Sequence, residues 1–363
     1  MGQQFELKFA ADTGAQIYDL RAHPAYGLHP LPAIIESATP WPNGPAQAAK
    51  AQPALLPESA TAEDAFRLTL IQCKWHIAAN FAAVVEARDA EAMHQMRVGF
   101  RRLRVAFTSF GGEFRTPPME SLRLRAKQIA GRLAPARDLD VFLKDLFEPA
   151  AQANGAKEAF AALRERARMA QRTAWDDAIA HICAPNFSAF MRELSDALDH
   201  RAWLVDPRAR PHAAKGIIAF ETPAKALAGR MLKHRLDHAA KRTRRLQSLN
   251  DEERHRLRIA LKKIRYTAEF FAPLYSKKPA HKFLAGLGGM QDVLGAVNDV
   301  ATARNILEKL VTSGEGGPQA STAELSFAAG IVYGWQLERA DRMWKTAVRR
   351  WDEFRKRKPF WAD

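Results

Sequence analysis

Residues 94–104, HQMRVGFRRLR, return at 255–265 as HRLRIALKKIR, an offset of 161 residues (255 − 94 = 161). The same offset carries LAPARD at 133–138 onto LGAVND at 294–299. One gap-free spacing that aligns two separated motifs points to a duplicated chain. Such a repeat narrows the fold more than composition does, because each half must supply the same elements in the same order. Those elements read as helices. From Thr61 onward Ala, Leu, Arg and Glu dominate, apolar residues recur at three- and four-residue spacing, and strand-like alternation is nearly absent. The expectation is an all-α fold of two helical bundles, produced by internal duplication and related by a pseudo-two-fold.

Helix starts are marked by a capping-box pattern at Thr61–Asp64, by Thr222-Pro223 with Pro at a first helical position, and by the acids after Asn250. Stops are expected at Gly111-Gly112, Pro117-Pro118, Asn154-Gly155 and Ser313 to Pro318. Residues 23–57 differ. Pro24, Pro30, Pro32, Pro40, Pro42, Pro45, Pro53 and Pro57 exclude a continuous helix and make the segment an extended linker. A second break falls at Asp206 to Pro211. The expected organisation is an irregular segment 1–57, a first bundle 58–210 and a second bundle 211–363.

With 363 residues, 47% of them hydrophobic, the chain can bury one large or two medium cores. It has no uncharged apolar run of membrane-spanning length, and its N-terminus lacks the basic and apolar regions of a secretory signal. Cys73 and Cys183 have no metal-ligand spacing and read as small buried hydrophobes, which fits a reducing cytoplasm. The charge is the unusual quantity: 55 Lys and Arg against 40 Asp and Glu give +15. Such an excess favours polyanionic partners without selecting one.

A helical projection concentrates this charge. At about 100° per residue, His94, Arg97, Arg101 and Arg104 fall within about 80°, a stripe roughly 15 Å long. Met96, Phe100, Leu103 and Phe107 form the adjoining apolar face. The second motif repeats this with His255, Arg258, Lys262 and Arg265 beside Leu257, Leu261 and Ile264. Charge runs are usually solvated faces, but those mix signs at i±3 and i±4. Neither stripe contains an acid, so its charges repel unless an anion lies there. Arg102 and Lys263 project off the stripes and read as plain surface.

Arginine forks match phosphate oxygens, lysine adds a mobile point charge, and surrounding phosphate favours protonated His. Aromatic platforms for stacked bases are missing from both stripes, so a bare phosphate chain outranks single-stranded nucleic acid. Tyr266 is the sole aromatic near either stripe, as a flank of the core or a phosphate contact. Asp138 and Asp299, each following a repeated position (Arg137 and Asn298), read as helix caps or as partners that orient an arginine. Arg137, Lys127, Arg235 and Lys282 are further candidate anion contacts. No metal site is expected: His234 and His238 alone have suitable spacing, and Arg235 beside them disfavours a cation. The basic tail from Arg349 to Lys358, with Trp351, Phe354 and Phe360, reads as an amphipathic final helix.

With these motifs in view, residues 58–360 resemble the CHAD family, histidine-containing helical domains often found beside CYTH-type triphosphatase domains. The resemblance rests on HQMRVGFRRLR, HRLRIALKKIRY, LAPARDLDV and LGAVNDV. It implies two four-helix bundles with a basic central cavity, lined by His94, Arg97, Arg101, Arg104, His255, Arg258, Lys262 and Arg265. It also implies binding of inorganic polyphosphate and association with polyphosphate granules. The second half departs in having Lys262 for Arg101 and Asn298 for Arg137. Phe5 to Phe9 resembles the opening strand of a CYTH domain, but Gln4 replaces its first Glu, and residues 1–57 cannot hold the eight-stranded catalytic barrel. The expectation is a binding module without cofactor or metal rather than an enzyme. The alternatives are a polyphosphate- or triphosphate-processing enzyme and a nucleic-acid-associated binder. The enzyme reading lacks a Gly-rich phosphate loop and, within the stripes, the carboxylates that would hold magnesium.

Overall fold

A computed structural model describes residues 47–155, 158–204, 220–243, 246–312 and 321–362. The fold is all-α; among the described residues there is no strand, only a bridge pairing Thr61 with Pro223. In chain order the helices are α1 (Ala62–Ala78), α2 (Phe81–Ala87), α3 (Ala90–Phe110), α4 (Pro117–Arg132), α5 (Ala134–Val141), α6 (Glu148–Ala153) and α7 (Glu158–Cys183). After these come α8 (Pro185–Asp199), α9 (Ala224–Arg242), α10 (Asp251–Phe271), α11 (Lys277–Thr312) and α12 (Thr322–Arg355). A wide π-type turn at Phe142–Phe147 joins α5 to α6. The repeat is visible in the bounds themselves: adding 161 to Ala90 and Phe110 gives 251 and 271, the ends of α10. The segment from α4 to α6, broken in the first half, corresponds to the single long helix α11 in the second.

Two compact units are assembled, each from two stretches of chain. One holds the chain up to Leu133 together with Ala178–Leu227; the other holds Ala134–Asp177 and the chain from Ala228 onward. In the first unit, Phe66 of α1 is fully buried with ring centroids 5.1 Å from Phe110, 4.4 Å from Phe114 and 5.2 Å from Trp203. Glu63 fixes the rim of this cluster, accepting from Trp203 Nε1 at 3.0 Å and pairing with Arg201. Gly99 lets α3 press onto α1: a Cβ there would stand 2.8 Å from Ile77 Cγ1 and 3.2 Å from its backbone nitrogen. The extended segment after residue 46 docks on the same unit. Ala49 and the Asn80 side chain exchange two hydrogen bonds at 2.9 Å, and Ala54 and Leu56 are buried.

In the second unit, Leu257, Leu261 and Ile264 of α10 pack against Leu287, Met290 and Leu294 of α11 and Trp344 and Trp351 of α12. A further cluster joins Phe142, Leu146 and Phe147 of the π turn to Ala303 and Leu307 of α11 and Val332 of α12. The final helix therefore packs through Trp351 and Phe354, as the amphipathic tail required.

Local signals account for most boundaries. Thr61 and Asn250 both close capping boxes, with Asp64 and Glu253 as the reciprocal acids. Helix α3 ends where Gly111 (φ +46) and Gly112 (φ +52) turn the chain through the left-handed region, which only glycine enters freely. Gly155 (φ +80) follows α6 in the same way. Pro117 opens α4 rather than closing a helix, its missing N–H costing nothing in a first turn. Pro223 stands just before α9, held by the bridge to Thr61, so it precedes the first helical position.

The burial expected of both cysteines is corrected for one of them. Cys183 is exposed at the end of α7, whereas Cys73 is buried. Ala62–Ala87 is apolar and long enough to cross a membrane by length and composition, yet most of it is buried in the first unit. The CYTH-like residues Gln4, Glu6 and Lys8, the break at 206–211 and the stop at 313–318 lie outside the described residues.

Candidate functional site

Helix α3 carries the first stripe within the first unit. Its apolar side, Met96, Phe100, Leu103 and Phe107, is buried, while His94, Arg97, Arg101 and Arg104 are half-buried. The projection thus divides the helix as the sequence implied. Arg104 is the most stressed cation: burial first, then the charges of Arg123 and Arg101, hold its guanidinium below the usual arginine range. Its Nε is buried with no hydrogen-bond partner. Arg123 comes from α4, where Glu120 grips it at 2.8 and 2.5 Å. Sequence reasoning missed Arg123, and the repeat hides it because 123 + 161 falls on Leu284.

Behind the head of this stripe lies His76, fully buried, its Nε2 3.1 Å from Gln95 Oε1. Burial, and then the charge of Arg102, push its imidazole down to about 4, against a smaller opposing effect of Gln95. Arg102 itself is only 5% exposed, so the plain-surface reading fails for it: the side chain is enclosed in the packed unit. A depressed histidine has a definite consequence for stability. Between its ordinary 6.5 and about 4, the unfolded chain binds a proton that the folded chain refuses. Stability should therefore fall as pH drops through that window, and His76→Gln should flatten the fall, as urea melts at pH 7.5 and 5 would show.

The second stripe lies on α10 in the second unit, and it is wired differently. Asn298 of α11 accepts from Arg258 Nη1 at 3.1 Å, and its Oδ1 lies 3.1 Å from His255 Nδ1. An arginine there would crowd Arg258, whereas the amide oxygen holds Arg258 and the His255 ring in register. Arg265 is gripped by Glu269 at 2.8 Å and donates to Gln291 at 3.0 Å. The second stripe is therefore not acid-free: Glu269 continues it by one turn, where the first half has Thr108. Lys262 is half-buried on the same face. Arg254, just before the stripe, lies over the Trp344 ring at 4.3 Å.

Neither repeated acid caps a helix. Asp138 lies inside α5 and Asp299 inside α11. Asp299 is half-buried; burial raises its carboxyl above the ordinary carboxylate range, opposed by Arg258, Arg339 and Lys262 and assisted by Asp145. Tyr266 is 8% exposed, which places it in the flank of the core. Arg137 is half-buried on α5 in the second unit, while Lys127 on α4 and Lys282 on α11 are exposed. Arg235 on α9 is held below the usual arginine range by burial. His234 and His238 are exposed, and among the described residues no three His, Cys, Asp or Glu side chains gather as metal ligands.

An all-helical chain with two His-Arg helices in a 161-residue repeat belongs to a narrow class of basic helical domains. The CHAD domain model matches residues 70–308, and the chain belongs to the CHAD family. Its structure is similar to the crystal structure of the CHAD domain from the plant Ricinus communis, with 29% identity and a TM-score of 0.72, covering 86% of this chain and 98% of that one. PptA from Streptomyces chartreusis shares the fold at 15% identity and a TM-score of 0.58, covering 81% of this chain and 100% of that one. No curated protein matches the chain.

Proposed function

We propose that this chain binds inorganic polyphosphate through its two stripes, as a non-catalytic cytoplasmic module that tethers to or scaffolds polyphosphate granules. The observation that carries the reading is Arg104, a partly buried guanidinium crowded by two other arginines and with a buried Nε that has no partner. Cations are held together in this way at a cost that an anion removes. Membership of the CHAD family supports the same ligand. The absence of stacking aromatics from the stripes favours a bare phosphate chain over RNA or DNA.

Titrating labelled long-chain polyphosphate against the full chain over a range of salt tests this. The expected result is binding that weakens steeply with salt, because each neutralised phosphate releases counterions. Single-stranded RNA at matched phosphate concentration should compete poorly. Equal competition by RNA would favour the nucleic-acid reading, and release of orthophosphate on adding magnesium would favour an enzyme.

A further inference from the structure

The hydrogen bonds of the second stripe fix the chemistry of its histidine. Asn298 Oδ1 accepts from Arg258 Nη1 at 3.1 Å and stands 3.1 Å from His255 Nδ1. A guanidinium only donates, so the atom facing it is the amide oxygen and not the amide nitrogen. The other end of the amide agrees. Asn298 Nδ2 donates to Thr302 Oγ1 at 3.4 Å, and that hydroxyl donates to the Asn298 backbone carbonyl at 3.2 Å. With an oxygen in that place, His255 Nδ1 has a single role, that of donor. The neutral ring then carries its proton on Nδ1, and its other nitrogen, Nε2, holds a lone pair. His255 is exposed and Arg258, one turn on, is half-buried. The repeat has no second copy of this device: Arg137, at the place matching Asn298, has only donors and cannot accept from a histidine and an arginine at once.

We propose that Asn298 is a positioning residue of the anion site: it selects the Nδ1–H tautomer of His255 and holds Arg258 beside it, so that phosphate meets the guanidinium and Nε2 together. The inference deepens the polyphosphate reading and rests on it. A phosphate oxygen against an unprotonated Nε2 would set lone pair against lone pair. The ring therefore takes a proton from solvent as phosphate binds, and both nitrogens then donate, Nδ1 to Asn298 and Nε2 to phosphate. No bond to phosphorus is made or broken. Outer contacts orient metal-binding histidines in the same way, and the chemistry carries over to an anion. An amide suits this place better than a carboxylate, which would accept equally well but repel the ligand. Charged groups lie on both helices. On α10 the neighbours at helical spacing are Asp251, Glu252 and Arg258, with Asp251 tied to Arg254 at 3.4 Å and Glu252 to Arg256 at 3.6 Å. On α11 Asp299 follows Asn298, and α12 presents the neutral Trp344 ring to Arg254. Because the bound form carries the extra proton, affinity at this stripe rises as pH falls.

The test is NMR of the full chain with 15N-labelled histidine, which reads the protonation of each ring nitrogen, joined to titration of long-chain polyphosphate at pH 6 and pH 8. His255→Gln identifies the His255 signals. At pH 8 without ligand, wild-type His255 should carry its proton on Nδ1 alone, and Asn298→Ala should lose that preference. Saturating polyphosphate should protonate both nitrogens in wild type. Asn298→Ala should bind about three- to tenfold more weakly at pH 6. His255→Gln should cost less in the Asn298→Ala background than in wild type, because the two residues serve one phosphate, and its cost should shrink at pH 8. A wild-type ring protonated on Nε2 alone, unchanged affinity of Asn298→Ala, or strictly additive losses overturn the proposal while leaving the polyphosphate reading intact. Failure of wild type to bind polyphosphate at either pH overturns that reading itself. Should Asn298→Ala not fold, the wild-type tautomer, its change on adding polyphosphate and the pH dependence of the His255→Gln loss decide the matter, and the absence of any one of them rejects the assignment.

Discussion

Arg104→Gln is expected to weaken polyphosphate binding by about ten- to a hundredfold while leaving the melting temperature unchanged or slightly raised. The binding loss follows from the hydrogen bonds at stake. A charge-assisted bond contributes about 1.5–3 kcal/mol, and each 1.4 kcal/mol is roughly a factor of ten. The stability half follows from the surroundings of the side chain. Arg104 is half-buried, and burial with the charges of Arg123 and Arg101 disfavours its charged form. Removing a partly buried cation that desolvation, Arg123 and Arg101 all disfavour takes a cost away from the unliganded fold, as at binding sites where function and stability oppose each other. Arg101→Gln with Arg104→Gln should lose more affinity than either change alone, though not the product of the two, because neighbours that share a ligand are coupled. Titration with labelled polyphosphate and thermal melts on the same samples decide it. Normal binding by Arg104→Gln would remove the main support for the anion site, and a large drop in melting temperature would mean that Arg104 is structural.

The repeat made the helical fold and the paired motifs legible, because a 161-residue offset and a 3.6-residue period are both properties of sequence alone. It also placed the stripes correctly on their helices, since Met96, Phe100, Leu103, Leu257, Leu261 and Ile264 are all buried as the projection required. What stayed hidden is what the repeat does not conserve. Arg123 aligns with Leu284, Arg339 with Ala178 and Glu269 with Thr108, so no periodic signal marks them. The asymmetry is chemical as well. In the first half Arg104 is hemmed in by cations, whereas in the second Arg265 is satisfied by Glu269 and Gln291. Asp299 was visible as a repeated acid, but its place inside a 36-residue helix was not. Nothing in LGAVND distinguishes the interior of a long helix from its first turn. Arg102 was misread for a related reason: a projection gives an angle, and only the neighbouring helices determine whether that angle faces water.

Phe100→Ala should show the opposite separation. Phe100 occupies the same motif as the stripe, one residue before Arg101, but its ring is fully buried, with centroids 5.9 Å from Phe190 and 6.3 Å from Phe187. Truncation leaves a cavity against α8 and should cost about 3–5 kcal/mol, as large-to-small changes of buried aromatics do. It removes no charge and no hydrogen-bond donor from the stripe. Below its lowered melting temperature the variant should therefore hold polyphosphate within a few-fold of wild type, provided that α3 keeps its path along α1. Gly99 makes that proviso a fair one, because the close approach of α3 to Ile77 is set one residue away and is untouched by the change. Bound polyphosphate should recover part of the lost melting temperature, since a ligand that binds the folded state stabilises it by mass action. Arg104→Gln and Phe100→Ala then form a crossed pair on one helix, one losing affinity at constant stability and the other losing stability at nearly constant affinity. If both variants lost affinity in proportion to stability, the stripe would be no more than the exposed side of a structural helix.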